Sequence, residues 1–298
     1  MADDAKRFLE VFKQSHNGAK PNAAQMVMIA QEASQTWRIE RTTTLVLLFG
    51  GKGEAATCIE AMGHVGMVLD IKYSALHDAT ELVGVFAGTY AVHTCVEFGT
   101  VWSSQECKTW LSYVSRHSFK RTKEDVYGPA DNMHVEKQNT CAVVASWWLQ
   151  LAHSRGCFTG NENPLNSLLH SEPCTSFTYA ITNAARDVTR IAAFGSMHYK
   201  PLEIFTTIPQ GLVQKHLVGS HAAARKRLTE HGFENGKGEA LAVKRGRWTS
   251  GIQKKSQSEE YPREFALAIA QVAVESQQRY AKKDCMKEAG KKSLKETL

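Results

Sequence analysis

The chain predicts an α/β protein built on a doubly wound, mostly parallel sheet, and three observations carry that expectation. Residues 42–49 run from three threonines into Leu45-Val46-Leu47-Leu48-Phe49. A β-branched start followed by unbroken apolar residues marks a strand buried on both faces. Gly50-Gly51-Lys52-Gly53 then breaks the strand and opens a short helical stretch, 54–62, which Gly63 stops. A second strand, 65–69, follows and ends at Asp70, which completes one βαβ unit. The third observation is that the alternation continues: a helix over 80–93, then a strand over 96–102.

Taken in order, the first 41 residues form a helical extension, with helical apolar spacing over 5–12 and 23–37. The α/β domain spans 42–280. Residues 112–133 are polar and irregular and include the basic run Lys120-Arg121-Thr122-Lys123. An apolar helix over 139–153 carries Trp147 and Trp148, which read as core. A short strand over 157–160 leads into the loop Asn161-Glu162-Asn163-Pro164. A helix over 177–186 and strands over 188–194 and 203–207 close the sheet. Residues 210–258 are rich in glycine and lysine and read as a basic, irregular insertion. A helix with a proline start covers 262–278, and the lysine-rich tail, 281–298, reads as disordered.

Composition narrows the function classes. Of 298 residues, 43% are hydrophobic and 22% charged, as in an ordinary globular protein. No apolar run reaches the roughly 20 residues of a membrane span. The acidic start, Met1-Ala2-Asp3-Asp4, is unlike a signal or transit peptide. Seven cysteines are scattered without a C-x-x-C pair, and the histidines show no ligand spacing, so no metal site is expected. This cysteine usage suits a reducing compartment, nuclear or cytoplasmic. The net charge of +6 admits a polyanionic partner without requiring one.

In a doubly wound sheet, ligands sit at the carboxyl ends of the strands. Three loops are placed there: 50–54, 103–108 and 161–164. The first has the form G-x-G-x-x-A over residues 51–56. Its first glycine permits a tight turn, and its second lets a ligand approach the backbone. Amides at the following helix start face an anionic group. Asp70, 19 positions after Gly51, is placed to accept hydrogen bonds from both hydroxyls of a ribose. This spacing alone does not separate a nicotinamide cofactor from S-adenosylmethionine, and a plain turn without ligand has the same form. The loop does not match a P-loop, because no Ser or Thr follows Lys52 and the glycine spacing is different.

These residues resemble the class I methyltransferases, and in particular C5-cytosine DNA methyltransferase-like proteins of phage and protist type. Leu48-Phe49-Gly50-Gly51-Lys52-Gly53 resembles their first motif and Asp70-Ile71-Lys72 their second. Asp78 matches the acid at the adenine end. Gln105-Glu106-Cys107 stands where the family has its catalytic cysteine loop, and Glu162-Asn163-Pro164 resembles its Glu-Asn-Val motif. Lys200-Pro201 with Ile204-Phe205-Thr206 resembles a late strand, and Tyr261-Pro262 with Phe265 the closing helix. The resemblance covers roughly residues 44–278.

It implies the class I methyltransferase fold and S-adenosylmethionine as cofactor, held by Phe49, Gly50, Gly51, Gly53, Asp70, Ile71 and Asp78. It also implies methyl transfer to a cytosine, with Cys107 as nucleophile and Glu162 as the acid at the ring nitrogen. A duplex substrate would be flipped out. Arg116, Lys120, Arg121, Arg245 and Arg247 are the candidate phosphate contacts, with Trp248 placed to stack on a base. Each has a plainer reading: Cys107 as a partly buried cysteine, Glu162 as a helix cap, the basic residues as a solvated surface.

The departures are specific. Leu47 stands where the family carries an acid, and Gln105 and Glu106 replace both prolines of the catalytic loop. They favour a catalytically inactive scaffold or complex subunit as the alternative, with partners meeting the basic surface or the N-terminal helices. A nicotinamide-dependent oxidoreductase is the second alternative.

Overall fold

The computed structural model describes residues 10, 20–111, 119–233 and 261–296, with side chains of the last helix described through Asp284. The sheet has six strands: β1 (Thr43–Leu48), β2 (Gly66–Leu69), β3 (Cys95–Ser103), β4 (Phe158–Pro164), β5 (Ala185–Arg190) and β6 (Pro201–Thr206). Their spatial order is β2-β1-β3-β4-β6-β5. The pairs β1·β2, β1·β3 and β3·β4 are parallel, whereas β6 runs antiparallel to both β4 and β5. The α/β expectation therefore holds, with a mixed sheet.

The helices are α1 (Ala23–Ser34), α2 (Glu54–Ala61), α3 (Leu82–Thr94), α4 (Met133–Ser154), α5 (Pro173–Thr182), α6 (Gln210–His216), α7 (His221–Glu230) and α8 (Arg263–Glu296). They cover both faces of the sheet. On one face Val46, Leu48, Leu69 and Val101 pack against Met26, Phe86, Val92, Val144 and Trp148 of α1, α3 and α4. On the other, Leu45, Leu47, Trp102 and Ile204 pack against Ile59 of α2 and Phe265, Ile269 and Val272 of α8. Successive residues of β1 thus feed opposite cores, which is why that strand is apolar at every position.

The chain leaves β1 in two directions. It reaches β2 through α2 on one side, and from β2 it returns through α3 to β3 on the other. The carboxyl ends of β1 and β3 consequently lie side by side at the point where the winding reverses.

Several boundaries differ from the sequence expectation, each for a local reason. Helix α4 starts at Met133, because the Asn132 side chain caps the amides of His134 and Val135. Strand β4 runs through to Pro164, so the expected loop 161–164 is part of the sheet, hydrogen-bonded to β6. Residues 191–194 form a 3-10 turn instead of continuing the strand. The expected irregular region beyond residue 210 contains α6 and α7, the latter anchored by Ala224 and Leu228. Helix α8 continues to Glu296, through the tail expected to be disordered. Among the described residues, no helix is long and apolar enough to cross a membrane.

Candidate cofactor and substrate site

The turn after β1 is shaped by three residues with positive φ: Phe49 at 57°, Gly51 at 58° and Gly53 at 71°. Glycine enters this region freely, but for phenylalanine it is uncommon and strained. The Phe49 amide donates to the Leu69 carbonyl at 2.7 Å, and its ring packs at 6.2 Å from Trp148, so neighbours hold it there. A Cβ on Gly53 would fall 2.9 Å from Val68 and 3.2 Å from the Tyr73 hydroxyl. A Cβ on Gly51 would meet nothing within 4 Å, so the backbone there is open to a ligand.

Asp70 ties this turn to β2. Its Oδ2 accepts from the Gly51 amide at 2.9 Å, and its Oδ1 accepts from the Lys72 amide at 2.9 Å. A carboxylate has about four acceptor positions, so each oxygen keeps capacity for a ribose hydroxyl. Ile71 is 58% exposed directly beyond it, an apolar surface suited to a flat ring. Asp78 accepts from the amide of Thr80 at 2.9 Å and from its hydroxyl at 2.7 Å. That bonding gives it a turn-forming role. Phe49, Gly50, Gly51, Gly53, Asp70 and Ile71 are brought together at the ends of β1 and β2, as expected. These residues fit an adenosine-bearing cofactor.

The loop after β3 is anchored by the Ser104 amide, which donates to the Leu48 carbonyl at 3.0 Å. Cys107 starts a turn whose carbonyl accepts from the Trp110 and Leu111 amides, and Leu111 bridges to Ser167. Cys107 is half-buried. Glu106 accepts from Gln138 of α4 at 2.8 Å.

Glu162 lies within β4 instead of on a loop, paired with Ile204. Tyr261 donates a short hydrogen bond to its Oε1, and the Ser104 hydroxyl lies 2.5 Å from the Tyr261 oxygen. Burial raises the Glu162 carboxyl above its ordinary range, opposed by Lys200 and by the Tyr261 and Ser104 hydroxyls. Burial, with the Glu162 charge, holds the Tyr261 phenol protonated.

Its neighbours point the other way, as strand alternation requires. Asn163 donates to the Gln105 carbonyl at 3.1 Å, and Asn161 to the Tyr179 hydroxyl at 2.8 Å. Asn161 lies beside Ser103 and Phe205 in the sheet, and Asn163 beside Glu203. This makes a buried polar face of Ser103, Asn161, Asn163 and Glu203. Among the described residues, Asn161 Oδ1, Asn163 Oδ1, Ser103 Oγ and both polar side-chain atoms of Gln105 have no hydrogen-bond partner. Glu162 and the Asn161–Asn163 pair therefore serve opposite faces of one strand. The Asn-Glu-Asn run carried this alternation in the sequence, but a loop reading concealed it. Tyr261, 99 residues from Glu162, was signalled only by its place before the closing helix.

Of the expected phosphate contacts, Arg121 is a correction. It is fully buried, with its guanidinium 3.7 Å above the Trp110 ring. It donates to the carbonyls of Val126 and Val135 and to the side chains of Asn139 and Thr109. Every face of it is occupied by protein. Lys120 is exposed and near the start of α4, where Pro129, Asp131, Asn132 and Met133 border a shallow surface hollow. Arg116, Arg245, Arg247 and Trp248 lie outside the described residues. Among the described residues, no group of three or more His, Cys, Asp or Glu side chains is placed to hold a metal ion.

Comparison with protein-family models, with curated proteins and with solved structures found no match to this chain.

Proposed function

We propose that this chain binds S-adenosylmethionine and has the class I methyltransferase type of α/β fold. The observation that carries the reading is the Gly51–Asp70 unit: an open, left-handed glycine turn bonded to the acid that ends the neighbouring strand. It sits at the point where the sheet's winding reverses, the expected place for a nucleoside cofactor. The antiparallel β6, inserted between β4 and β5, departs from the mostly parallel sheet of nicotinamide-binding folds.

The proposed activity is methyl transfer to a cytosine base in nucleic acid, with Cys107 as nucleophile. When bound, the cofactor supplies the methyl group. The half-buried Cys107, on the loop after β3, and Glu162, on the strand paired with β3, support this assignment. Glu162 serves as the acid only if it turns away from Tyr261. That engagement favours a second reading, a cofactor-binding scaffold without turnover.

Calorimetric titration with S-adenosylmethionine tests the first half: saturable binding, weakened by Asp70→Ala, is expected, and absence of binding overturns it. Incubation with 5-fluorocytosine DNA tests the second. A covalent adduct lost in Cys107→Ser supports turnover through Cys107, and no adduct with cofactor bound supports the scaffold.

A further inference from the structure

Cys95 opens β3 and Cys157 is the residue before β4, so the two lie at the amino ends of paired strands. This is the opposite end of the sheet from Asp70 and Cys107. The pairing of β1 with β3 jumps there: Thr43 faces Cys95, and Leu45 already faces Thr100. The residues between form a bulge, with Phe98 at a φ of 62° and its amide donating to the Gly156 carbonyl at 2.9 Å. The bulge brings the Cys95 side chain against Gly99, where a Cβ would fall 2.9 Å from the Cys95 sulfur. Glycine at that position therefore makes room for the thiol beside the start of β4.

Both thiols are free and buried, Cys95 completely and Cys157 to 3% exposure. They hydrogen-bond to each other, with Cys95 as donor. The Cys157 thiol donates in turn to the Val96 carbonyl at 3.4 Å. Arg41 donates to the Cys157 sulfur at 3.6 Å, and to the carbonyls of Cys95 and Arg155 at 2.6 Å and 3.0 Å. A buried cysteine ordinarily behaves as a small apolar residue, and a guanidinium on its sulfur sets this pair apart. The Cys95 hydrogen bond first, and the Arg41 and Arg155 charges after it, lower the Cys157 thiol against the effect of burial, whereas Cys95 is raised. Cys157 also follows the exposed Gly156, so it is the sulfur nearer to solvent.

We propose that Cys95 and Cys157 are a reversible oxidation site that closes to a disulfide on reaction with hydrogen peroxide, with Cys157 attacking first and Arg41 activating it. The Cys157 thiolate attacks one peroxide oxygen: an S–O bond forms, the O–O bond breaks, and hydroxide leaves and is protonated to water. The Cys95 sulfur then attacks the sulfenic acid: the S–S bond forms, the S–O bond breaks, and the departing hydroxide takes the Cys95 proton. Two thiols are oxidised and one peroxide is reduced to two waters. The bond joins β3 to β4 beneath Arg41, the last residue of the N-terminal extension, and a dithiol reductant restores both thiols.

The test treats the full chain with hydrogen peroxide, quenches in acid, unfolds it in the presence of N-ethylmaleimide and maps the cysteines by mass spectrometry. A peptide linked through Cys95 and Cys157, with the loss of two hydrogens and reversal by dithiothreitol, is expected. In a chain unfolded in urea before peroxide is added, that linkage should fall several-fold, because all seven cysteines then compete. Arg41→Gln should slow its formation several-fold, and Cys157→Ser should leave Cys95 open to alkylation. Recovery of both thiols unoxidised, at a peroxide concentration that oxidises them in the unfolded chain, overturns the proposal. So does linkage of either to another cysteine, or conversion of Cys157 to a sulfinic or sulfonic acid without linkage. The parent map decides the pairing even where a variant fails to fold.

Discussion

The Gly51 amide donates to the Asp70 carboxylate at 2.9 Å, and the Lys72 amide donates to the same carboxylate from the other side. One side chain therefore fixes the glycine turn and the end of β2 together. Asp70→Ala removes both bonds, and hydrogen bonds to a charged group contribute about 1.5–3 kcal/mol each when buried. Asp70 is only half-buried, so a total stability loss of about 1–2 kcal/mol is expected. The larger effect should be local: amide exchange at residues 50–53 should accelerate in Asp70→Ala, and much less in Asp70→Asn, which retains one acceptor. Exchange that is unchanged in the alanine variant would show that the turn is held by its glycines alone.

Arg121 offers a contrast between a charge that meets solvent and one that builds the fold. Its guanidinium fills the space over Trp110, and burial lowers its pKa to about 10. Removing it strands the carbonyls of Val126 and Val135 in the interior and leaves the half-buried Asn139 Oδ1 without its guanidinium donor. Arg121→Ala should cost about 3–5 kcal/mol in urea unfolding, as for other broken buried polar networks. Arg121→Lys should recover little of this, since an ammonium cannot reproduce the planar fork. Lys120→Ala, at an exposed position, should be within about 0.5 kcal/mol of the parent.

The contrast also shows what could be read from the chain. The β1–α2–β2 unit was legible because Leu45 to Leu48 pack in alternation into two cores, which leaves a continuous apolar run, and because Gly51 and Gly53 mark the left-handed turn that ends it. Strand β4 was not legible past Gly160. Its Asn161, Glu162 and Asn163 are polar because they face a buried hydrogen-bonding layer and Tyr261, and polarity in sequence looks the same whether it is solvated or internally satisfied. Arg121 misled for the same reason. Its neighbours Lys120 and Lys123 are exposed, and only long-range packing of Trp110 and α4 distinguishes it from them.

Gly160 is a packing requirement beside the site. A Cβ there would lie 2.2 Å from the Trp102 ring, which is fully buried and cannot move without disturbing the core beneath α8. Gly160→Ala should destabilise by about 1–3 kcal/mol, the range for overpacking. Combining it with Trp102→Leu should cost less than the sum of the two single changes, because the smaller side chain vacates the contested volume. Strict additivity in the denaturation midpoints would mean that the tryptophan is not the obstacle.

The acid limb of stability follows from opposing buried groups. His93 and His170 are held neutral, each lowered to about 4, by burial first. Arg155 and Arg41 reinforce this at His93 and Arg186 at His170, where Glu203 opposes it. The unfolded chain takes up these protons near 6.5 and the folded chain only near 4, so both histidines cost stability as pH falls through that interval. Glu162 acts in the opposite sense. Its folded carboxyl titrates above the ordinary range, so the folded state binds the proton first and gains stability as pH falls toward the unfolded value. With two histidines against one carboxylate, the histidines win, and stability should decline from pH 6.5 to 4. His170→Gln should remove about half of the histidine contribution and make the decline shallower. Glu162→Gln removes the compensating group, so it should make the decline steeper while raising stability at pH 7 relative to acid-matched controls. Urea unfolding at half-unit pH intervals reads both changes, and a Glu162→Gln profile parallel to the parent's would show that the Tyr261 and Ser104 hydroxyls offset the burial of the carboxylate in full.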